Sequence, residues 1–127
     1  MKKVILAAMA AILVLPAVAS AEAWDILRCK LLEGKNFDDL EQIVTEWRLL
    51  MDKTEYKDFK VQILQPLSGP RVGPGIFFWV GSAPTAERLG GAQDYWFSDP
   101  SAARMKAKLD TVFLCDERWG MRTVFER

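Results

Sequence analysis

Histidine is absent from this sequence of 127 residues, which removes much of the chemistry open to a small protein. Nucleophile systems that need an imidazole, whether Ser-His-Asp or Cys-His, are excluded, as are histidine-ligated haem and zinc. Acid–base catalysis would have to use a carboxylate, a lysine or a tyrosine. The candidates are Asp94 beside Tyr95 and Asp116 beside Glu117. Neither pair has a spacing diagnostic of catalysis. No catalytic residue can be assigned, and no metal or cofactor is expected.

Two cysteines, Cys29 and Cys115, are the next candidates for chemistry. A redox pair usually has C-x-x-C spacing, which this pair lacks. Two thiolates without a histidine make a poor metal site. Because an even number of cysteines in an oxidising compartment is most simply a disulfide, we predict a structural bond between Cys29 and Cys115.

Aromatic side chains form a third group, with five tryptophans in the chain. Such side chains line apolar ligand pockets and dimer interfaces, and they also fill cores. The sequence Tyr95-Trp96-Phe97 lies before Pro100, where we expect an irregular break in a helix that could act as the lid of a pocket. The candidate ligand-binding residues are Trp47, Trp79, Tyr95 and Trp96. Packing in the core is the alternative for all four.

A loop rich in glycine and proline, SGPRVGPG, occupies residues 68–75. It lacks the G-x-x-x-x-G-K-[ST] pattern of a phosphate-binding loop and precedes a strand rather than a helix. We interpret it as a connection stiffened by Pro70 and Pro74. Arg71 at its tip could meet an anion or a partner's carboxylate, or have no role.

Residues 1–21 show the three-part pattern of a secretory signal peptide. Two lysines precede an apolar run, and Ala19 and Ala21 supply an A-x-A cleavage site. The alternative is an uncleaved membrane anchor, but the run has about 15 residues with Pro16 among them, fewer than the roughly 20 that span a bilayer. We expect cleavage after Ala21, which places residues 22–127 in the periplasm or outside the cell.

The charge balance argues against several classes of partner. Lysine and arginine together number 17, as do aspartate and glutamate, and no basic stripe is visible, so nucleic-acid binding is not expected. No second apolar run reaches spanning length, so we expect no membrane insertion once the signal peptide is removed. The remaining length suits one domain.

The apolar patterns predict the element order β-α-β-β-α-β. The first helix is the clearest element, since apolar side chains recur at steps of three and four after Asn36, a good N-cap residue. The second helix is predicted to be broken, because Gly90 and Gly91 weaken it and Pro100 restarts it. The predicted strands cover residues 24–32, two segments within 59–84, and 119–125. This order is typical of a ferredoxin-like sandwich, an antiparallel four-stranded sheet with helices on one face.

The predicted topology agrees with the predicted disulfide. In a ferredoxin-like sheet the first and last strands are antiparallel neighbours, which brings Cys29 close to Cys115. A bond that encloses about 87 residues would stabilise the fold by about 4 kcal/mol in the chain-entropy model.

The second strand of the central pair, with the sequence IFFWV, is apolar on both sides. Ile76, Phe78 and Val80 point one way, and Phe77 and Trp79 point the other. A sheet with one wet face would alternate apolar and polar residues, so both faces of this strand should be covered. The chain's own helices can cover one face, and a second subunit is expected to cover the other.

The stretch CKLLEGKNFDDLEQIVTEW, from Cys29 to Trp47, is similar to the strand–loop–helix start of NIPSNAP-like and antibiotic-biosynthesis-monooxygenase-like domains. With this element order, the chain resembles the dimeric α/β-barrel superfamily, and within it uncharacterised exported proteins of Gram-negative bacteria. The resemblance implies that two ferredoxin-like subunits place the open faces of their sheets together. Its members include cofactor-free monooxygenases, haem-degrading enzymes that need a histidine, and domains without known activity. No catalytic motif matches, so no residue role is carried over.

These observations predict a non-enzymatic, dimeric, exported module that binds an apolar small molecule or a protein partner. The alternative is a cofactor-independent monooxygenase-like enzyme that acts on an aromatic substrate. In that alternative Trp47, Tyr95 and Trp96 would hold the substrate, and Tyr95 or Asp94 would handle protons. A third interpretation is a module that only packs within an envelope assembly.

Overall fold

The structure is a computed structural model that describes residues 22–127, so the predicted signal peptide lies outside the described residues. Along the chain lie β1 (Ala23–Leu31), α1 (Phe37–Met51), β2 (Lys60–Leu64), β3 (Ile76–Ala83), α2 (Ala86–Ser98), α3 (Pro100–Leu109) and β4 (Phe113–Arg122). This order confirms the predicted β-α-β-β-α-β succession with the second helix in two pieces. No helix among these elements is long and apolar enough to cross a membrane.

The four strands form one sheet in the order β2-β3-β1-β4, and every neighbouring pair is antiparallel. The predicted ferredoxin-like fold is therefore confirmed. The last strand was predicted over residues 119–125 and begins six residues earlier. The charged run Asp116-Glu117-Arg118 hides the strand pattern, but each of these side chains meets an opposite charge on another segment.

Helix α1 begins where the sequence predicts it. The Asn36 side chain accepts a hydrogen bond from the Asp39 N–H at 3.0 Å, and the Asp39 carboxylate accepts one from the Asn36 N–H at 2.9 Å. This reciprocal pair satisfies two of the backbone donors that a helix N-terminus leaves without partners. The buried stripe of α1 consists of Leu40, Ile43, Trp47 and Met51.

The break between α2 and α3 lies at Asp99, not at the two glycines. Helix α2 continues through Gly90 and Gly91, and a Cβ added at Gly91 would lie 2.8 Å from the Tyr56 ring. Asp99 is extended (φ −84, ψ 134) because Pro100 follows it, and its carboxylate caps α3. The expectation of an irregular segment at Tyr95-Trp96-Phe97 was wrong, since these residues are helical.

The sheet has a helix-covered face and a second, open face. Phe77 and Trp79 belong to the core that packs against the helices. Ile76, Phe78 and Val80 point to the other side, which confirms the predicted two-sided apolar strand. We call that side, opposite the helices, the open face; its apolar side chains include Trp24, Ile26, Ile76, Phe78, Val80, Trp119 and Met121. Ile76 and Val80 are already buried within the chain, whereas Trp119 and Met121 are exposed.

Candidate functional site

A cavity of about 320 Å³ lies between the three helices and the covered face of the sheet. Six aromatic side chains form what we call the aromatic wall: Trp47, Phe59, Trp79, Trp96, Phe97 and Phe113. Four polar side chains, the polar rim, also line it: Gln93, Lys106, Asp110 and Arg118. The side chains of the three charged rim residues are between 39% and 50% exposed, so the rim is the side of the cavity that meets solvent.

Four members of the aromatic wall, Trp47, Phe59, Trp79 and Phe113, contact one another. The rings of Trp47 and Trp79 meet edge to face with centroids 5.1 Å apart, and Trp79 stacks on Phe113 at 5.9 Å. Trp47 also meets Phe59 at 5.9 Å. Such pairs are favourable beyond the area they bury, so these four rings support one another without a ligand.

The structure brings together three of the four predicted ligand-binding residues. Trp47, Trp79 and Trp96 line the cavity, whereas Tyr95 turns to Tyr56, with ring centroids 6.1 Å apart. Burial raises the pKa of the Tyr95 hydroxyl, and the charge of Asp99 raises it further. Both effects favour the neutral, protonated form of the hydroxyl. A ligand-binding role for these residues stays a prediction.

The structure shows an ion pair beside the cavity that was not predicted from the sequence. Asp25 is only 5% exposed, and Arg118 donates to its carboxylate from Nε at 2.8 Å and from Nη2 at 2.6 Å. The Arg118 guanidinium also lies over the Phe97 ring, 5.4 Å from its centre. One signal was available. Asp25 occupies the same face of β1 as Leu27 and Cys29, and a carboxylate on a core face needs a partner.

The predicted disulfide is present beside this pair. Cys29 and Cys115 are bonded, they face each other in the β1–β4 ladder, and their Cα atoms are 3.9 Å apart. Cys29 is fully buried and Cys115 lines the cavity. The ladder shifts register between Arg28 and Cys29, so the cross-link lies next to a bulge.

Arg71 meets a carboxylate of its own chain. Its guanidinium pairs with Glu117, which raises the pKa of the arginine, and its carbonyl accepts a hydrogen bond from Arg28 at 2.6 Å. Arg28 in turn pairs with Asp116 at 2.7 Å. This network ties the loop of residues 65–75 to β1 and β4, so we assign Arg71 a structural role.

A second depression of about 520 Å³ lies between α1 and the edge strand β2. Its apolar lining includes Phe37, Leu40, Val44, Val61 and Ile63. Only one helix and one strand border it, and Trp47 is the one residue of the aromatic wall that lines it. The first cavity is therefore the better candidate for a site.

Solved structures of low sequence identity share this fold. SnoaB from Streptomyces nogalater, a cofactor-independent oxygenase, covers 84% of this chain and 96% of its own, with a TM-score of 0.59 and 10% identity. A conserved protein of unknown function from Bacteroides thetaiotaomicron, called a possible oxidoreductase, covers 83% of this chain and 100% of its own (TM-score 0.55, 11% identity). A hydroxynitrile lyase from Passiflora edulis covers 84% and 95% (TM-score 0.53, 11% identity).

At such low identity these similarities show a common fold and nothing about activity. The sequence matches no family model and no curated protein.

Proposed function

We propose that this protein is an exported, dimeric, non-enzymatic module that binds an apolar small molecule in the cavity between its helices and sheet. The observation that carries the proposal is the cavity itself, about 320 Å³ with six aromatic rings in its lining. This volume falls at the lower end of the range of about 300 to 1,000 Å³ that is usual for small-molecule sites. The ligand is therefore small and largely apolar.

The aromatic wall favours binding because little has to be reorganised when a ligand enters. Trp47, Trp79 and Phe113 hold one another in place, so their side chains lose little further freedom on binding. A preformed site loses less affinity to ordering than one that must assemble around its ligand.

Binding without catalysis is favoured because each charged side chain of the lining is held in an ion pair. Among the described residues, neither Asp94 nor Tyr95 lines the cavity. The charged rim residues Lys106 and Arg118 are each engaged by a carboxylate. The alternative of a cofactor-independent monooxygenase-like enzyme has the fold similarity to SnoaB as its support. We expect no oxygen uptake with quinol-type substrates.

We propose the dimer because the open face exposes large apolar side chains. Trp119 and Phe78 meet there with ring centroids 6.4 Å apart, and Met121 is half exposed beside them. Large apolar side chains that lie exposed beside one another on a small protein often mark an interface. A second copy of the chain would cover it, and export would supply the oxidising compartment in which the Cys29–Cys115 bond persists.

Native mass spectrometry of the protein purified from periplasm without reductant tests these points together. We expect a dimer that carries the extra mass of a bound ligand. Each chain should be two hydrogens lighter than its reduced form because of the disulfide. A reduced monomer without added mass would contradict the proposal. A dimer without added mass would support the assembly, and binding would then be tested by adding an apolar probe.

A variant that fills the cavity tests the binding site directly. Ala92 is buried in the cavity lining, so Ala92→Leu should reduce the affinity for an apolar probe such as 2-methylnaphthalene by about tenfold or more, because the added side chain takes up ligand volume. The matched control is Ala86→Leu, at an exposed position of the same helix. Equal loss in both variants, read from tryptophan fluorescence, would place the binding elsewhere.

A further inference from the structure

We propose that the ligand of this cavity carries a carboxylate head group and that Arg118 binds it. The inference rests on the proposed binding function and adds the chemistry of the ligand. Its basis is the combination of an apolar, aromatic interior and a guanidinium held at the solvent side of the same cavity.

Arg118 has donors left over after it pairs with Asp25. A guanidinium carries five N–H groups in a planar fork, and Asp25 accepts from Nε and from Nη2. No other described residue accepts a hydrogen bond from the Arg118 side chain, so both N–H groups of Nη1 and one of Nη2 are available. The side chain is 39% exposed and lines the cavity, so a head group can reach this edge from the ligand side.

Asp25 acts as a positioning residue for Arg118. Its carboxylate is buried on β1 and holds the guanidinium through two short, charge-assisted hydrogen bonds. The ring of Phe97 supports the same guanidinium from its face. An arginine fixed on two sides presents its remaining edge in one orientation, and this reduces the entropy lost when a carboxylate binds.

Lys106, the other cation of the rim, is neutralised by Asp110. Its ammonium group lies 2.9 Å from the Asp110 carboxylate, in a pair whose side chains are about half exposed. The pair is neutral overall, so it neither attracts nor repels a head group strongly. Each rim cation thus has a carboxylate partner, Asp25 for Arg118 and Asp110 for Lys106, so the recognition of an anion rests on the three N–H groups that Arg118 has left.

Two compounds with the same apolar body and different heads test the inference. We would titrate the protein with 2-naphthylacetic acid and with 2-naphthylacetamide at neutral pH and measure each Kd from tryptophan quenching. The acid should bind about tenfold more tightly, since a hydrogen bond to a charged group is stronger than one between neutral groups.

A double variant removes the head-group site while it protects the fold. Arg118→Gln alone would leave Asp25 buried without a partner, which is strongly destabilising. In Asp25→Asn/Arg118→Gln the ion pair is replaced by two neutral amides. This variant should bind the two compounds equally, with the amide's affinity within about twofold of the parent's. Arg104→Gln, at an exposed position of α3, is the control and should keep the preference for the acid.

The outcomes separate the two proposals. Equal binding of both compounds by the parent protein would overturn the carboxylate inference and leave the apolar cavity supported. A preference for the acid that persists in the double variant would show that Arg118 is not the recognising group. Binding of neither compound, together with a preparation that carries no extra mass, would contradict the binding function itself.

Discussion

Gly81, at the centre of the sheet, shows how tightly single residues define the core. A Cβ at this position would lie 2.5 Å from Cζ of Phe59, a buried ring that packs edge to face with Trp47. Gly81→Ala should therefore destabilise the protein by about 1 to 3 kcal/mol, measured by urea unfolding.

Gly90 is the matched control for this prediction. It lies inside α2, and no atom is within 4 Å of an added Cβ. Gly90→Ala should stabilise the protein by about 0.5 to 1 kcal/mol because alanine loses less backbone entropy in a helix. If Gly81→Ala and Gly90→Ala change the free energy of unfolding equally, the Phe59 ring can move away from the added Cβ.

The Cys29–Cys115 bond also shows how much a single pair of residues contributes to stability. It joins residues separated by 86 positions, so its loss should lower the free energy of unfolding by about 4 kcal/mol. We expect this loss on reduction with dithiothreitol, and a similar one in Cys29→Ala/Cys115→Ser, where alanine suits the buried site and serine the exposed one. Dithiothreitol should not change the stability of the double variant. An effect of the reductant there would show that it acts elsewhere.

At the scale of elements, the connector between α1 and β2 is fastened to α2. Arg88 of α2 donates to the Asp58 carboxylate at 3.1 and 3.2 Å and to the Glu55 carbonyl, and it lies over the Tyr56 ring. The Tyr56 ring in turn occupies the space left by Gly91. The glycine that weakens α2 locally is thus needed for the connector to approach it.

This fastening predicts a pH dependence. The hydrogen bond from Arg88 lowers the pKa of Asp58 below its ordinary value of 3.8. Because the folded-state pKa is depressed, the stabilisation is present above 3.8 and is lost as the pH falls through the lower, folded-state value. Asp58→Asn should therefore lower Tm at about pH 6 and lower it less at about pH 3.

Arg88→Gln is the control for this effect. In that background Asp58→Asn should make the same difference to Tm at both pH values, because the charge partner is gone. A difference that still depends on pH would assign the effect to another group.

At the scale of the whole molecule, the proposed dimer depends on the open face. Met121 is 50% exposed on that face, so Met121→Lys would place two like charges in an apolar interface between two copies. We expect the mass from light scattering to fall from dimer to monomer. Leu49→Lys is the control, since Leu49 is 60% exposed on α1 and lies off the sheet. Loss of the dimer in both variants would place the interface elsewhere.

The sequence was sufficient for features that depend on neighbours along the chain. Helix α1 follows from its apolar steps and from Asn36, and the two-sided strand follows from the run IFFWV. The restart at Pro100 is equally local, because proline dictates its own backbone and that of the residue before it. The element order, and with it the pairing of Cys29 with Cys115, could therefore be predicted.

The candidate site could be predicted only in part. Trp47, Trp79 and Trp96 stood out as large aromatic residues, but nothing in the sequence separated them from ordinary core residues. Tyr95 was grouped with Trp96 because the two are adjacent, yet adjacent residues of a helix point in directions about 100° apart. The helix therefore presents Trp96 to the cavity and Tyr95 to Tyr56.

Tertiary structure alone decided the rest, because it depends on residues that are distant along the chain. Asp25 and Arg118 are 93 positions apart, and only the β1–β4 ladder makes them partners beside the cavity. Helix α2 passes through Gly91 because Tyr56, from another segment, fills the space beside it. Local patterns determine which elements form, since their energies come from near neighbours, whereas a cavity and its charges exist only after those elements have packed.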